Sequence, residues 1–425
     1  MIKQSRFFIV LIALIIVKTS VAYNPVEVFD FNKSLRIDFI LTGTAKTQMA
    51  GISNLYEEPH WSGNENSLIW PMDYGTYRYE VYTQDGQLVV RNGFSTLFEE
   101  WQMTNLPKLG PASFEESFNI PYPLQPVTIK LEVRRQNEFK LLSEWHINPD
   151  TDQIIKKNPL YKAQKLYGNG NPSESLDIVF LTDGYLAEDS IKAQKDTKRF
   201  AEYLFAQAPF NAFKDKINIW LVHAPSMNSG TTEPRKNIYK NTVLGSSFNS
   251  LGLERYLTTK EYFKIKDIAA DAPYDFAVVM VNTHRYGGGG IFNHFSVFTS
   301  DNQWSKEVFV HEFGHQFGGL ADEYFTSDVS YEEMLDTDKE PWNPNITTLV
   351  AFDGKWQNLI SKGTPVPTPR SKKYKGKTGV FEGGAYMSKG VYSPSMDCKM
   401  RTNTAEGFCS ACENAITEML EMYTK

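Results

Sequence analysis

Between residue 23 and about residue 150, apolar and polar residues alternate in short runs divided by turn residues. The stretches "SLRIDFILTG", "YRYEVYTQDGQLVVRNGF" and "VTIKLEVRRQNEFKLLSEW" carry the period of two expected of strands with one buried face. The "QDGQ" between two alternating runs marks a hairpin, because Asp-Gly accepts the positive φ that a tight turn demands. Several such strands without a long helix predict an antiparallel β-sandwich over residues 23–150. Trp61, Trp70 and Trp101 lie within it and are expected to pack rather than to stack on a ligand. Residues 151–171 belong to a polar stretch rich in Asn, Pro and Gly and read as a linker.

From residue 172 to residue 425 the rhythm changes. "LDIVFLTDGY", "INIWLVHAP" and "YDFAVVMVN" are short apolar runs of the kind buried on both faces, and "DSIKAQKDTKRFAEYLFAQAPF" has helical spacing. That order predicts an α/β domain with a mainly parallel sheet, so the fold class is α+β with two domains. A chain of 425 residues, 41% hydrophobic, can bury two cores. The "YGGGG" run lacks the Lys-Ser/Thr pair of a phosphate loop and reads as a turn into a further strand, residues 291–299, near the active cleft. An edge there can pair with an extended substrate through main-chain hydrogen bonds.

Charge and cysteines narrow the setting. The formal net charge is −6 and no basic stripe is present, which argues against nucleic acid as a partner. Residues 1–22 place Lys3 and Arg6 before an apolar run and end on Ser20-Val21-Ala22, the layout of a cleaved signal peptide. The apolar run is too short for a membrane span, so the expectation is a secreted or periplasmic protein with no stable membrane insertion. Cys398, Cys409 and Cys412 are the three cysteines. They read equally as a disulfide from Cys398 to one of the other two or as buried thiols. A cysteine zinc site is not expected, since no second cysteine pair exists. Two loops draw bland readings, the acidic "TSDVSYEEMLDTDKEP" as a solvated segment and the basic "PVPTPRSKKYKGKTG" as an exposed one.

The stretch "WSKEVFVHEFGHQFGG" carries the chemistry. It predicts a helix capped by Ser305 and stopped at Gly318-Gly319. His311 and His315 lie one turn apart on one face, so both imidazoles reach one Zn²⁺ ion. Glu312 sits beside that ion as a general base for the attacking water. A glutamate inside so apolar a helix is costly without a cation nearby. For the third ligand Asp322 is the first choice, Glu323 the competitor, and His284 and His294 the remaining alternatives.

The run "HEFGHQFGGLADEY", with "LDIVFLTDGY" and "YGGGGIFN" upstream, resembles the bacterial IgA-specific metalloendopeptidases, a metzincin-like family (IgA peptidase family 64). The resemblance covers most of the mature chain. It implies a metzincin-like catalytic domain after the sandwich, a zinc cofactor, and endopeptidase chemistry on a protein or peptide substrate. It implies His311 and His315 as ligands, Glu312 as base, and supports Asp322 as third ligand. "YSPSMDCKMR" looks like a methionine-containing turn, with Met400 before Met396 as the methionine beneath the metal. Tyr324, Tyr386 and Tyr392 are the candidates for an oxyanion or substrate contact. Two other functions remain open at this point: an exopeptidase or short-peptide hydrolase with the same metal chemistry, and a catalytically silent extracellular binding protein.

Overall fold

A computed structural model describes residues 24–326 and 335–424. The expected signal peptide and the centre of the acidic loop lie outside these residues. Strands β1 (Phe29–Gly43), β2 (Gln48–Glu58), β3 (Tyr77–Thr83) and β4 (Leu88–Phe94) lead into a short helix, α1 (Leu97–Gln102). Strands β5 (Ala112–Pro123), β6 (Val127–Arg135), β7 (Glu138–Ile147) and β8 (Ile154–Lys156) follow. They form two four-stranded sheets, in the orders β5-β1-β2-β8 and β4-β3-β6-β7. Alternation does what its period predicts: Val127, Ile129, Leu131 and Val133 of β6 are buried, and the residues between them are not. The "QDGQ" turn joins β3 to β4, with Gly86 at φ +84. Side chains of the two sheets meet directly, Tyr79 stacking on Phe118 with centroids 4.1 Å apart and Phe39 lying 5.5 Å from Trp145.

The second half holds β9 (Ala163–Tyr167), β10 (Leu176–Asp183), α2 (Ser190–Phe205), β11 (Ile217–Val222), α3 (Tyr262–Ala269) and β12 (Phe276–Val281). It continues through β13 (Gly288–Gly290), β14 (Phe295–Thr299), α4 (Ser305–Gly318), β15 (Phe381–Gly384), β16 (Met387–Ser393) and α5 (Ser410–Thr424). Six of these strands form one sheet in the order β13-β14-β12-β10-β11-β9. Its four inner strands are parallel and its edges, β13 and β9, run antiparallel to their neighbours. Every residue of β10 and β12 is buried, which is why these strands read as unbroken apolar runs.

The stretch expected to be a linker is not free of structure. Its residues supply β8, paired with β2, and β9, paired with β11, one edge strand to each half. Edge strands can be short and polar because one side of each faces solvent, and that composition resembles a loop.

The two halves share a buried seam. Arg36, 0% exposed, holds Asp38 through two bonds, Glu58 at 3.1 Å, and Asp267 across the seam at 2.8 Å. Three carboxylates thus balance one buried guanidinium, and Glu58 and Asp267 would still face it if Asp38 were removed. Hydrogen bonds to main-chain carbonyls also cross, from the Ser95 N–H to Phe292 and from the Asn293 side-chain amide to Gly93. Trp70 packs on Phe292 and Tyr423, and Trp101 on Phe98 and Phe114, so both tryptophans serve packing as expected. Among the described residues, no helix is long and apolar enough to cross a membrane.

Candidate metal centre

Helix α4 is held from below. Val308, Phe309, Val310, Phe313 and Phe317 are all buried, with Phe313 and Phe317 packed on Phe276 and Phe210. Ser305 is not its cap: Trp304 occupies that position, and the Ser305 hydroxyl instead accepts from the Asn302 N–H. At the other end Gly319 adopts φ +61, its N–H reaching the His315 carbonyl while the Leu320 N–H reaches that of Gly314. This left-handed stop, which only glycine takes without strain, turns residues 320–324 back over the helix.

The reversal brings three ligand atoms together. His311 Nε2 lies 3.0 Å from His315 Nε2 and 3.0 Å from Asp322 Oδ1, and the His315–Asp322 separation is 3.3 Å. Three ligands about 2.0–2.1 Å from one tetrahedral ion stand about 3.3 Å apart, so the triangle fits a metal. Asp322 Oδ1 is buried and has no hydrogen-bond partner, and its other oxygen accepts from the Tyr386 hydroxyl. Each imidazole is oriented from behind: His311 Nδ1 is 2.9 Å from the Lys399 carbonyl, and His315 Nδ1 is 2.6 Å from that of Leu320. Nδ1–H then donates to the carbonyl, and the Nε2 lone pair faces the ion.

The three groups also compensate one another electrostatically. Burial alone would push both imidazoles down, but the Asp322 carboxylate reverses this, raising His311 and carrying His315 up to about 9. The two histidines in turn hold Asp322 well below the usual carboxylate range despite its burial. Burial pushes the Glu312 carboxyl up, opposed by the histidines.

These residues form the floor of a cleft of about 770 Å³. Strand β13 is one wall, and its glycines explain themselves there. A Cβ at Gly288 would fall 2.8 Å from Glu312 Oε1, and one at Gly290 would fall 2.2 Å from the Glu312 carbonyl. The glycine run lets an edge strand approach the helix closely. The opposite side carries Tyr324 and Tyr386, and the first half of the chain contributes Thr96, Glu99, Glu100 and Met103.

Several expectations need correction. His284 is exposed and bonded to the Asp301 carbonyl, and His294 is buried in the seam against Glu116 and stacked on Tyr262, so neither reaches the centre. Glu323, beside Asp322, turns away toward Cys412 and Asn345. Tyr392 pairs through its main chain with Thr347 and packs on the Phe352–Trp356 cluster, outside the cleft lining. Tyr324 lies over His311 with centroids 6.3 Å apart. Met400 is fully buried, its sulfur 2.9 Å from where a Cβ on Gly314 would sit, between the two histidines, whereas Met396 is only half-buried. The three cysteines are free thiols, without the disulfide held open above.

Sequence reasoning missed Asn345 and Tyr286. Asn345 clamps the returning turn through both its amide groups, to Ala321 and to Glu323. No local pattern announces it. Tyr286 lines the cleft and accepts from Asn403, and its place directly before the glycine run was a usable signal.

A helix offering two histidines one turn apart, a returning aspartate and an adjacent glutamate is the donor set of a metal-dependent hydrolase. The family profile described as IgA Peptidase M64 matches residues 165–377 and 370–420, and that of the Peptidase M64 N-terminus matches residues 26–145. The chain belongs to the IgA peptidase M64 family, and is thus a metallopeptidase acting on protein. No curated protein matches the chain.

Proposed function

We propose that this chain is an exported zinc endopeptidase in which Glu312 is the general base. The observation that carries the reading is the triangle of His311, His315 and Asp322 around an orphaned carboxylate oxygen, open to a cleft on its free side. Three protein donors with one open position, nitrogen and carboxylate in type, suit zinc in a catalytic site. The two N-terminal sheets act as a β-sandwich, and the second half as a metzincin-like domain with Met400 beneath the metal. Export rests on the signal-peptide layout of residues 1–22.

When bound, the zinc ion polarises the scissile carbonyl and lowers the pKa of water. An extended peptide lies in the cleft beside β13, with its backbone across Glu312. Glu312 takes the proton of the attacking water and returns it to the leaving amine. The Tyr386 hydroxyl steadies Asp322, and Tyr324, 3.4 Å from it oxygen to oxygen, and Tyr286 line the cleft as candidates to steady the oxyanion.

The test is zinc content by mass spectrometry on wild type, Glu312→Ala and Asp322→Ala, with cleavage of a denatured protein mixture assayed alongside. Zinc kept without activity in the first variant, and lost from this centre in the second, supports the reading. A wild type that holds no metal here after chelator-free purification would sink it.

A further inference from the structure

Behind the catalytic floor, a second set of metal-ligating side chains converges. Glu323, Cys398, Cys409 and Cys412 each offer one ligand atom, all within 4.8 Å of one another. Cys409 Sγ is 3.5 Å from Cys412 Sγ, which is 3.8 Å from Cys398 Sγ. Glu323 Oε1 lies 3.2 Å from Cys412 Sγ and 3.8 Å from Cys409 Sγ. With Zn–S bonds of about 2.3 Å and a Zn–O bond of about 2.0 Å, tetrahedral ligands stand about 3.8 Å apart between sulfurs and about 3.5 Å from sulfur to oxygen. The four separations lie within about 0.3 Å of those edges.

A second observation points the same way. Glu323 is 0% exposed, and its Oε2 is buried without any hydrogen-bond partner. A buried carboxylate against thiols is costly unless it is protonated or a cation shares its space. The Cys409 N–H lies 3.2 Å from Cys398 Sγ, a backbone donor aimed at a sulfur that bears charge once it ligates a metal. Arg401, also facing Glu323, offsets part of the negative charge of the donor set.

We propose that Glu323, Cys398, Cys409 and Cys412 hold a second zinc ion in a closed, structural site. It departs from the expectation drawn from the sequence, where the lack of a second cysteine pair argued against a cysteine zinc site. The missing ligand is not a fourth cysteine but a carboxylate delivered by the same turn that delivers Asp322. Three thiolates and one carboxylate suit zinc rather than a hard cation, and the closed set leaves no position for substrate.

The site ties together the two segments that orient the catalytic centre. Glu323 follows Asp322 directly, and its N–H donates to the Met400 carbonyl at 2.8 Å. Cys398 precedes Lys399, whose carbonyl accepts from His311. An ion bridging Glu323 and Cys398 therefore fixes the third catalytic ligand and the orienting carbonyl of the first. These four are positioning residues.

The full chain carrying His311→Ala and His315→Ala together isolates the second site from the first. Purified without chelator, it is expected to retain about one zinc per chain. Cobalt exchange should then produce an intense near-ultraviolet thiolate-to-metal band, and all three cysteines should alkylate only after the metal is released. The same cobalt band in wild-type protein serves if the double variant does not fold. Glu323→Gln is expected to weaken this zinc by tenfold or more, a loss that added zinc restores. Absence of zinc and of the cobalt band, or a mass showing two hydrogens lost to a disulfide, would overturn the proposal. Loss of zinc from the histidine site alone would instead bear on the endopeptidase reading, so the two failures are distinguishable.

Discussion

Asp322 and Glu323 are neighbours on one turn, yet they serve sites of opposite character. Asp322 faces a cleft, shares its space with two histidines, and has Glu312 beside it. Glu323 faces the interior, shares its space with three cysteines, and has no base near it. Three donors and an open side make a site for chemistry, and four donors without one make a site for holding the chain. The comparison teaches that the catalytic centre does not stand alone: its third ligand is placed by a chain segment whose other anchor is the closed cluster.

The comparison breaks most sharply at Glu312. Glu312→Gln keeps the shape and hydrogen-bonding size of the side chain but cannot take the proton. Its turnover is expected to fall by about 10²–10⁴-fold, with the zinc of both sites unchanged. A variant that lost zinc as well would make Glu312 a ligand and erase the division of roles. Asp322→Ala comes next. It should empty the open site while the closed site keeps its ion, because Cys398, Cys409, Cys412 and Glu323 do not use Asp322 as a contact. Simultaneous loss of both ions, read by metal analysis, would show that the two sites form one unit.

Tyr386→Phe is a milder probe of the open site. It removes the hydroxyl that donates to Asp322 Oδ2 and leaves the ring in place. Partners behind a ligand set its orientation, so metal affinity at this centre should fall by about 10–100-fold, measured by chelator competition. The cobalt spectrum of the closed site should not move.

The difference between the sites also explains what the sequence made legible. The open site rests on a local pattern, two histidines and a glutamate within one helix, and helical spacing alone brings those three side chains together. Asp322 was readable because Gly319 sits where a helix can reverse. The closed site has no such pattern, since Glu323 and Cys398 are joined only by the return of the chain through β15 and β16. Counting cysteines misled because a carboxylate completes the set. The fold followed the same division: strands with clean alternation and fully buried strands were readable. Polar edge strands β8 and β9 were not, because exposure removes the signal that periodicity depends on. His294 misled for a related reason, as nothing local distinguishes a histidine that packs in a domain seam from one that binds a metal.

The smallest expected effect concerns the surroundings of the open site. Glu99 and Glu100 of α1 enter its cleft from the other half of the chain, and the Tyr256 hydroxyl donates to Glu100 across the seam at 2.7 Å. Burial pushes each carboxyl up to about 7. Their folded-state values stand above the ordinary carboxylate value, so the folded protein holds more protons than the unfolded chain between the two. Their contribution to stability is therefore fully present below the unfolded value and is lost as pH rises through about 7. The closed site has no such pair beside it and should show no matching drift. The Tm of the wild type is expected to drop by a few degrees between pH 5 and pH 7, and Glu99→Gln with Glu100→Gln should flatten that slope while leaving the cobalt band of the closed site unchanged. An equal slope in the double variant would remove these two carboxyls as the cause. A wild type with no slope there would mean that they are ionised throughout, held so by the metal on the cleft floor.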